Sequence, residues 1–322
     1  MDKYHDIEMT GADNTYRYNY NGTTFRGKIM GYIGFARYAR TILRNGKYDF
    51  IIVWGELTAV LNYRTLIAYY DEKYCVNIRD LFVKKRKILN YLLFRAIRKA
   101  EYVSVPSEKY IEKLPSNYDK YVFFHSYNDS FMKETVRKSF DHNKRKIHIL
   151  FIGNIRFYDH VFSFINMIKN DERYEFTVAG TGANPIAEYV HRNSIHNIKI
   201  IGKFPKEDTP YFLGQADVIY NVYGTNDENL RIALSNKLYY ALFLHLPILV
   251  CKDTFMDEIS SSCGIGYAVD MKEPKNFADN FYEWFFQLDR DDIRERCDKM
   301  IEFAKASQDL LLKTFVGSIR NN

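Results

Sequence analysis

Apolar residues arrive in short runs, and each run is followed by a segment with helical spacing. Residues 49–54 (DFIIVW), 74–78 (YCVNI), 102–105 and 121–124 read as strands. Helical spacing covers 57–69 and 82–100, and in the latter Leu89, Leu93, Ile97 and Ala100 share one stripe. Ser107 is placed to cap the next helix, with Glu108 and Glu112 in its opening turns. The first 45 residues carry only weak signals. Residues 139–146 (SFDHNKRK) are polar and read as a linker. A second series then begins. Strands are expected at 147–152, 174–179, 198–201, 217–222 and 247–251, and helices at 158–169, 184–193, 207–215 and 236–244. Two long helices, 274–288 and 290–316, close the chain. This alternation predicts an α/β protein with parallel sheets. The 322 residues suit two domains, drawn at 1–140 and 141–322, each Rossmann-like.

Composition narrows the setting. Cys75, Cys251, Cys263 and Cys297 form no CxxC or zinc spacing, which suggests reduced, buried thiols in a cytoplasmic protein. The polar opening MDKYHDIEMTGADNTYRYNYNG is not a signal peptide, and no run is long enough to span a bilayer. Charge is uneven. Residues 1–145 hold 26 Lys/Arg against 16 Asp/Glu, net +10, and the rest hold 20 against 24, net −4. The first half therefore suits an anionic partner. Lys84, Lys85, Arg86, Lys87, Arg95, Arg98 and Lys99 border the apolar stripe of the 83–100 helix, a pattern that suits peripheral contact with an anionic membrane. No nucleic-acid recognition motif accompanies the charge.

Ligands of open parallel sheets bind beyond the carboxyl ends of the strands. In the second half those ends read Gly153-Asn154-Ile155-Arg156, Gly180-Thr181-Gly182, Gly202-Lys203-Phe204 and Tyr223-Gly224. Glycines there let backbone N–H groups approach phosphate. In the stretch NLRIALSNKLYYALFLHLPILV (229–250), Ser235 and Asn236 can cap a helix whose first turn holds Lys237. A cation is disfavoured at that end unless an anion joins it. In the first half, Arg79-Asp80 follows a strand. Asp80 there is either a cap for the helix beginning near residue 82 or a group that serves as a base. His125 reads as a core or loop histidine.

These segments together resemble bacterial GT-B glycosyltransferases of the capsular and exopolysaccharide type, near glycosyltransferase family 4. The resemblance rests on Ser235-Asn236-Lys237-Leu238-Tyr239-Tyr240-Ala241 and Leu246-Pro247-Ile248-Leu249-Val250. It extends to Phe151-Ile152-Gly153, Val178-Ala179-Gly180, Ile201-Gly202-Lys203-Phe204, Gln215-Ala216-Asp217-Val218 and Gly264-Ile265-Gly266. More faintly it includes 47–53 (KYDFIIV) and 100–107 (AEYVSVPS). It implies a GT-B fold of two Rossmann-like domains and a nucleotide-diphosphate sugar as donor substrate. No resident cofactor or obligatory metal is expected, and stereochemistry would be retaining. Gly153, Asn154, Arg156 and Lys237 would face the diphosphate. Lys203 and Phe204 would lie near the base, and Asn229, Asn236 and Leu238 would form the ribose and phosphate pocket. Gly180, Tyr223 and Gly224 complete the donor side.

The family's paired glutamates, eight positions apart, fall here on Ile232 and Tyr240, and a tyrosine offers the ribose one hydrogen bond instead of a carboxylate pair. Arg79 and Asp80 would face the acceptor, a glycan or lipid-linked glycan for cell-surface polysaccharide at the inner membrane face. The family normally opens with a strand, a Gly-containing loop and a helix, so the first domain is expected to be incomplete. A non-catalytic GT-B subunit of a glycan-assembly complex is the alternative.

Overall fold

The computed structural model describes residues 5–10, 15–20, 24–81, 87–116, 118–125, 127, 129–136, 146–272 and 276–321. Most of the 139–146 linker, and Lys84, Lys85 and Arg86 of the basic helix, lie outside them. The chain forms two compact units, Met1–Phe124 with Ser307–Asn322, and His125–Ala306.

The first unit opens with strands β1 (His5–Thr10) and β2 (Thr15–Tyr20), an antiparallel hairpin, and helix α1 (Phe25–Asn45). None of these was legible in the weak signals of the first 45 residues. Thr24 caps α1 by accepting from the Gly27 N–H. Tyr18 and Tyr20 lie against the helix at Gly34 and Gly31, where any larger residue would collide with their rings. The unit's sheet holds β3 (Ile51–Trp54), β4 (Tyr74–Asn77), β5 (Tyr102–Val105) and β6 (Tyr121–Phe123), parallel and in sequence order. Between them run α2 (Glu56–Tyr69), α3 (Lys87–Arg98) and α4 (Glu108–Ile111). Leu93, Ile97 and Ala100 are buried as their stripe requires. The Ser107 helix is a single turn without a side-chain cap bond, so the expected capping is not what forms it.

The second unit begins with α5 (Asp129–Glu134). Its sheet holds β7 (Ile147–Ile152), β8 (Tyr174–Ala179), β9 (Ile198–Gly202), β10 (Val218–Asn221), β11 (Ile248–Cys251) and β12 (Gly266–Val269). All its pairings are parallel, in the order β9-β8-β7-β10-β11-β12. This is the doubly wound order, with the strand sequence reversing between β7 and β10. Alternation along β7 explains why both faces are covered. Ile147, Ile149 and Phe151 join one core with α6 (Tyr158–Ile168), α7 (Asn184–Arg192) and α12 (Phe277–Phe286). Leu150 and Ile152 join the other, with α8 (Thr209–Gln215), α10 (Asn236–Leu244), α11 (Phe255–Ser262) and the first part of α13 (Arg290–Asn321). The rest of α13 belongs to the first unit, where Phe315 packs edge-on to Phe50 and Ser318 donates to Glu101 over 2.8 Å. Strand β12 and helices α5, α9 (Glu228–Ile232) and α11 were missed as elements, being short. All four cysteines are free and buried. No helix among the described residues is long and apolar enough to cross a membrane.

Phe164 on α6 is fully buried, with its ring against Phe176 at 5.1 Å, Tyr220 at 4.8 Å and Phe277 at 5.6 Å. Phe164→Ala should lower the unfolding free energy of the second unit by about 3–5 kcal/mol. Urea unfolding followed by Trp284, which sits on α12 in the same unit, measures it.

Candidate functional site

The strand order reverses between β7 and β10, the place where doubly wound sheets bind ligands, and the residues after those two strands meet there. Gly153 follows β7. A side chain built on it would begin 3.9 Å from the Lys237 Nζ, so the glycine leaves its backbone open to that ammonium. Tyr223 follows β10, and its hydroxyl accepts a hydrogen bond from Lys237 Nζ. The ammonium also lies over the rings of Phe151, at 5.3 Å, and Tyr223, at 5.1 Å. Arg156 lies near enough for its charge to act on both Lys237 and Tyr223.

Lys237 is only 8% exposed, and among the described residues no carboxylate pairs with it. Burial, and secondarily the Arg156 charge, push its pKa down to about 8. Burial raises the Tyr223 hydroxyl's pKa, so that group stays neutral, and Arg156 opposes the rise.

Two bonds hold Lys237 in register. Ser235 caps α10, its Oγ accepting from the Lys237 N–H over 3.2 Å. The same hydroxyl donates to Asn221 Oδ1 over 2.9 Å, tying the helix to the end of β10. Asn221 was missed from sequence. Its signal is a single amide closing an otherwise apolar buried strand.

The glycines divide by role. Gly153 faces the ammonium, whereas Gly180 supports Gly153 from behind. A Cβ on Gly180 would fall on the Gly153 carbonyl, and the Gly180 N–H is bonded to the Gly202 carbonyl at 2.7 Å. Gly224 has φ +91°, donates its N–H to Cys251 Sγ at 3.0 Å, and leaves no room for a Cβ beside the His160 ring. Neither His160 nor Cys251 had been singled out for this.

The other expected donor residues are spread more widely. Asn154 is exposed on the Gly153 loop, and Asn236 is exposed at the first position of α10. Lys203 and Phe204 follow the edge strand β9. Lys203 is exposed, and Phe204 packs edge-on to Phe212 at 4.7 Å. Leu238 is core. Tyr240 is half-buried against the same core as Leu238. Asn229 lies on α9, which Asp227 caps. His125 is half-buried, and its Nδ1 is 2.7 Å from the Tyr239 hydroxyl. Desolvation pushes its pKa down to about 4, as suits a core histidine.

In the first unit the strand ends are stitched together by backbone bonds. Gly55 N–H donates to Asn77 O, Ile78 N–H to Ser104 O, and Phe124 N–H to Val105 O. Arg79 projects from this rim between two rings, 5.1 Å from Trp54 and 4.9 Å from Phe124. Glu56 opens α2 there and is buried. Desolvation pushes its carboxyl up to about 7, against the N–H groups of Glu56 and Asp80 that hydrogen-bond its charged form. Asp80 is exposed beside Arg79. Residues 82–86, whose helix Asp80 was a candidate to cap, lie outside the described residues.

No protein-family model and no curated protein sequence matches this chain. Solved structures do. Sucrose-phosphate synthase from Thermosynechococcus elongatus superimposes with a TM-score of 0.66 at 11% identity, over 91% of this chain and 80% of that one. Anabaena HepE, solved with UDP and glucose, gives 0.64 at 10% identity, over 92% and 85%. A glycosyltransferase from Rickettsia africae gives 0.61 at 11% identity, over 95% and 85%. The fold is α/β, of the GT-B type.

Replacing the buried cation should separate stability from binding. In the free protein the Lys237 pKa is about 8, below its ordinary 10.5. The unfolded chain then binds more protons between those values, so stability rises with pH across that window. Below it the full desolvation cost persists. Lys237→Met should therefore stabilise the ligand-free protein by roughly 1–3 kcal/mol at pH 7. The gain should shrink as pH climbs from 8 toward 10.5. Urea titrations at several pH values test it, and a loss of stability or a pH-independent gain contradicts it.

Proposed function

We propose that the protein transfers a sugar from a nucleotide-diphosphate sugar held by its second unit. One observation carries this reading. A buried lysine with no carboxylate partner among the described residues sits with Arg156 at the switch point of a doubly wound sheet. A buried charge left uncompensated is expensive. A diphosphate would supply the missing anion.

As the bond from sugar to diphosphate breaks, negative charge grows on the leaving phosphate. Lys237, already fixed by packing, and Arg156, exposed beside it, would stabilise it there. The Tyr223 hydroxyl, kept neutral, orients the ammonium. The reading takes retaining stereochemistry, without an obligatory metal, from the resemblance to glycosyltransferase family 4. Its acceptor is a glycan or lipid-linked glycan of cell-surface polysaccharide, used at the inner membrane face. The net charge of +10 over residues 1–145 supports an anionic surface or acceptor on that side. That HepE was solved with UDP and glucose makes UDP the first nucleotide to test.

A second reading, a non-catalytic GT-B subunit, draws on Tyr240. It stands where the family has a ribose-binding glutamate, and it packs half-buried against the core. Hydrolysis of UDP-sugars separates the two readings, since the subunit would turn over none.

Calorimetric titration with UDP, GDP and dTDP tests the donor site. One of them should bind, and Lys237→Ala should weaken it by at least about tenfold, the loss of one charge-assisted contact. Wild-type affinity should fall as pH rises above about 8, where the free protein's lysine loses its proton. Unchanged affinity in the variant removes the assigned role of Lys237.

A further inference from the structure

The first unit carries a second cation with no counter-ion, and its setting differs from that of Lys237. Among the described residues, Arg79 makes no ion pair. Its guanidinium is held between the faces of Trp54 and Phe124. Two ring contacts restrict the planar fork, and a guanidinium suits two-pronged contact with a carboxylate or phosphate. Trp54 is 62% exposed although it ends a strand, so most of a large apolar surface stays open beside the cation. At Gly55, next in the chain, the space a side chain would occupy is empty. Glu56 completes the rim. Its carboxylate accepts from the N–H of Asp80, the neighbour of Arg79 in the chain.

Each feature asks for a different part of one ligand. A flat aromatic face takes the C–H side of a pyranose ring. A clamped guanidinium takes an anionic substituent. We propose that the Trp54–Arg79–Phe124 rim of the first unit binds an acidic sugar, with its ring on Trp54 and its carboxylate or phosphate ester on Arg79. This rests on the glycosyl-transfer reading, and it makes the acceptor an acidic or phosphorylated glycoside rather than a neutral one.

Trp54 is itself the reporter. The chain has two tryptophans, and the other, Trp284, lies in the second unit. In the Trp284→Phe protein, Trp54 emission is titrated with methyl glucuronoside, glucose 6-phosphate, methyl glucoside and inorganic phosphate, and UDP affinity is measured calorimetrically on the same preparation. At least one acidic sugar should change the emission with affinity about tenfold or more above both methyl glucoside and phosphate. The glucuronoside and the 6-phosphate show which anion is used. Arg79→Gln should abolish the preference, and Arg79→Lys, which keeps charge without the planar fork, should fall between. UDP affinity should not move in either variant. Equal responses to acidic and neutral sugars overturn the inference, as does phosphate alone matching the sugars. Silence of Trp54 while UDP binds overturns it and leaves the donor site standing. A response from Trp54 without any nucleotide binding supports the acidic-sugar site and removes the donor reading.

Discussion

Lys237 is a cation folded into protein with no anion beside it among the described residues, and the arrangement around it follows from accommodating that. Desolvation makes the charged form costly, and the packing around it offers only partial compensation. That compensation consists of one hydroxyl, from Tyr223, and two aromatic faces. Arg156 adds to the cost. Such a cluster lowers the stability of the free protein and becomes favourable once a multiply charged anion enters. The doubly wound sheet explains its location, because only where the strand order reverses do neighbouring loops part and leave a crevice. The Asn221–Ser235–Lys237 chain of hydrogen bonds and the Gly180–Gly153 contact then fix it to the strands on either side of the reversal.

Much of the second unit was legible in its sequence because its signals are local. Buried parallel strands such as Ile147–Ile152 and Ile248–Cys251 are continuous apolar runs between glycine and helix signals. The helix carrying Lys237 announces itself by Ser235. Harder to read were elements whose burial is supplied from afar. The β1–β2 hairpin and α1 owe their packing to Tyr18 and Tyr20 lying over Gly34 and Gly31, which no periodicity reveals. Within the site, sequence marked the residues with conspicuous chemistry, Arg156 and Lys237. It did not mark Asn221, which positions Lys237 through Ser235, or His160, which restricts Gly224; those contacts join residues 14 and 64 positions apart. Glycines were flagged as a group, whereas the structure distinguishes Gly153, open toward the ammonium, from Gly180, which is needed for close packing.

The two units treat charge differently. In the second, the cation is buried, and in the proposed function a diphosphate would supply its anion. In the first, Arg79 stays at the surface between two rings, and an acid, Glu56, is the buried group. A fold shared with sucrose-phosphate synthase and HepE at about one residue in ten leaves such differences to the individual chain.

The most direct measurement is the titration of the Lys237 ammonium itself, followed by NMR of selectively labelled lysine, with and without UDP. A pKa near 8 in the free protein that climbs by a unit or more when the nucleotide is bound is the predicted result. A lysine that titrates at its ordinary value in the free protein, or one whose pKa ignores saturating UDP, GDP and dTDP alike, would contradict a diphosphate site built around this residue.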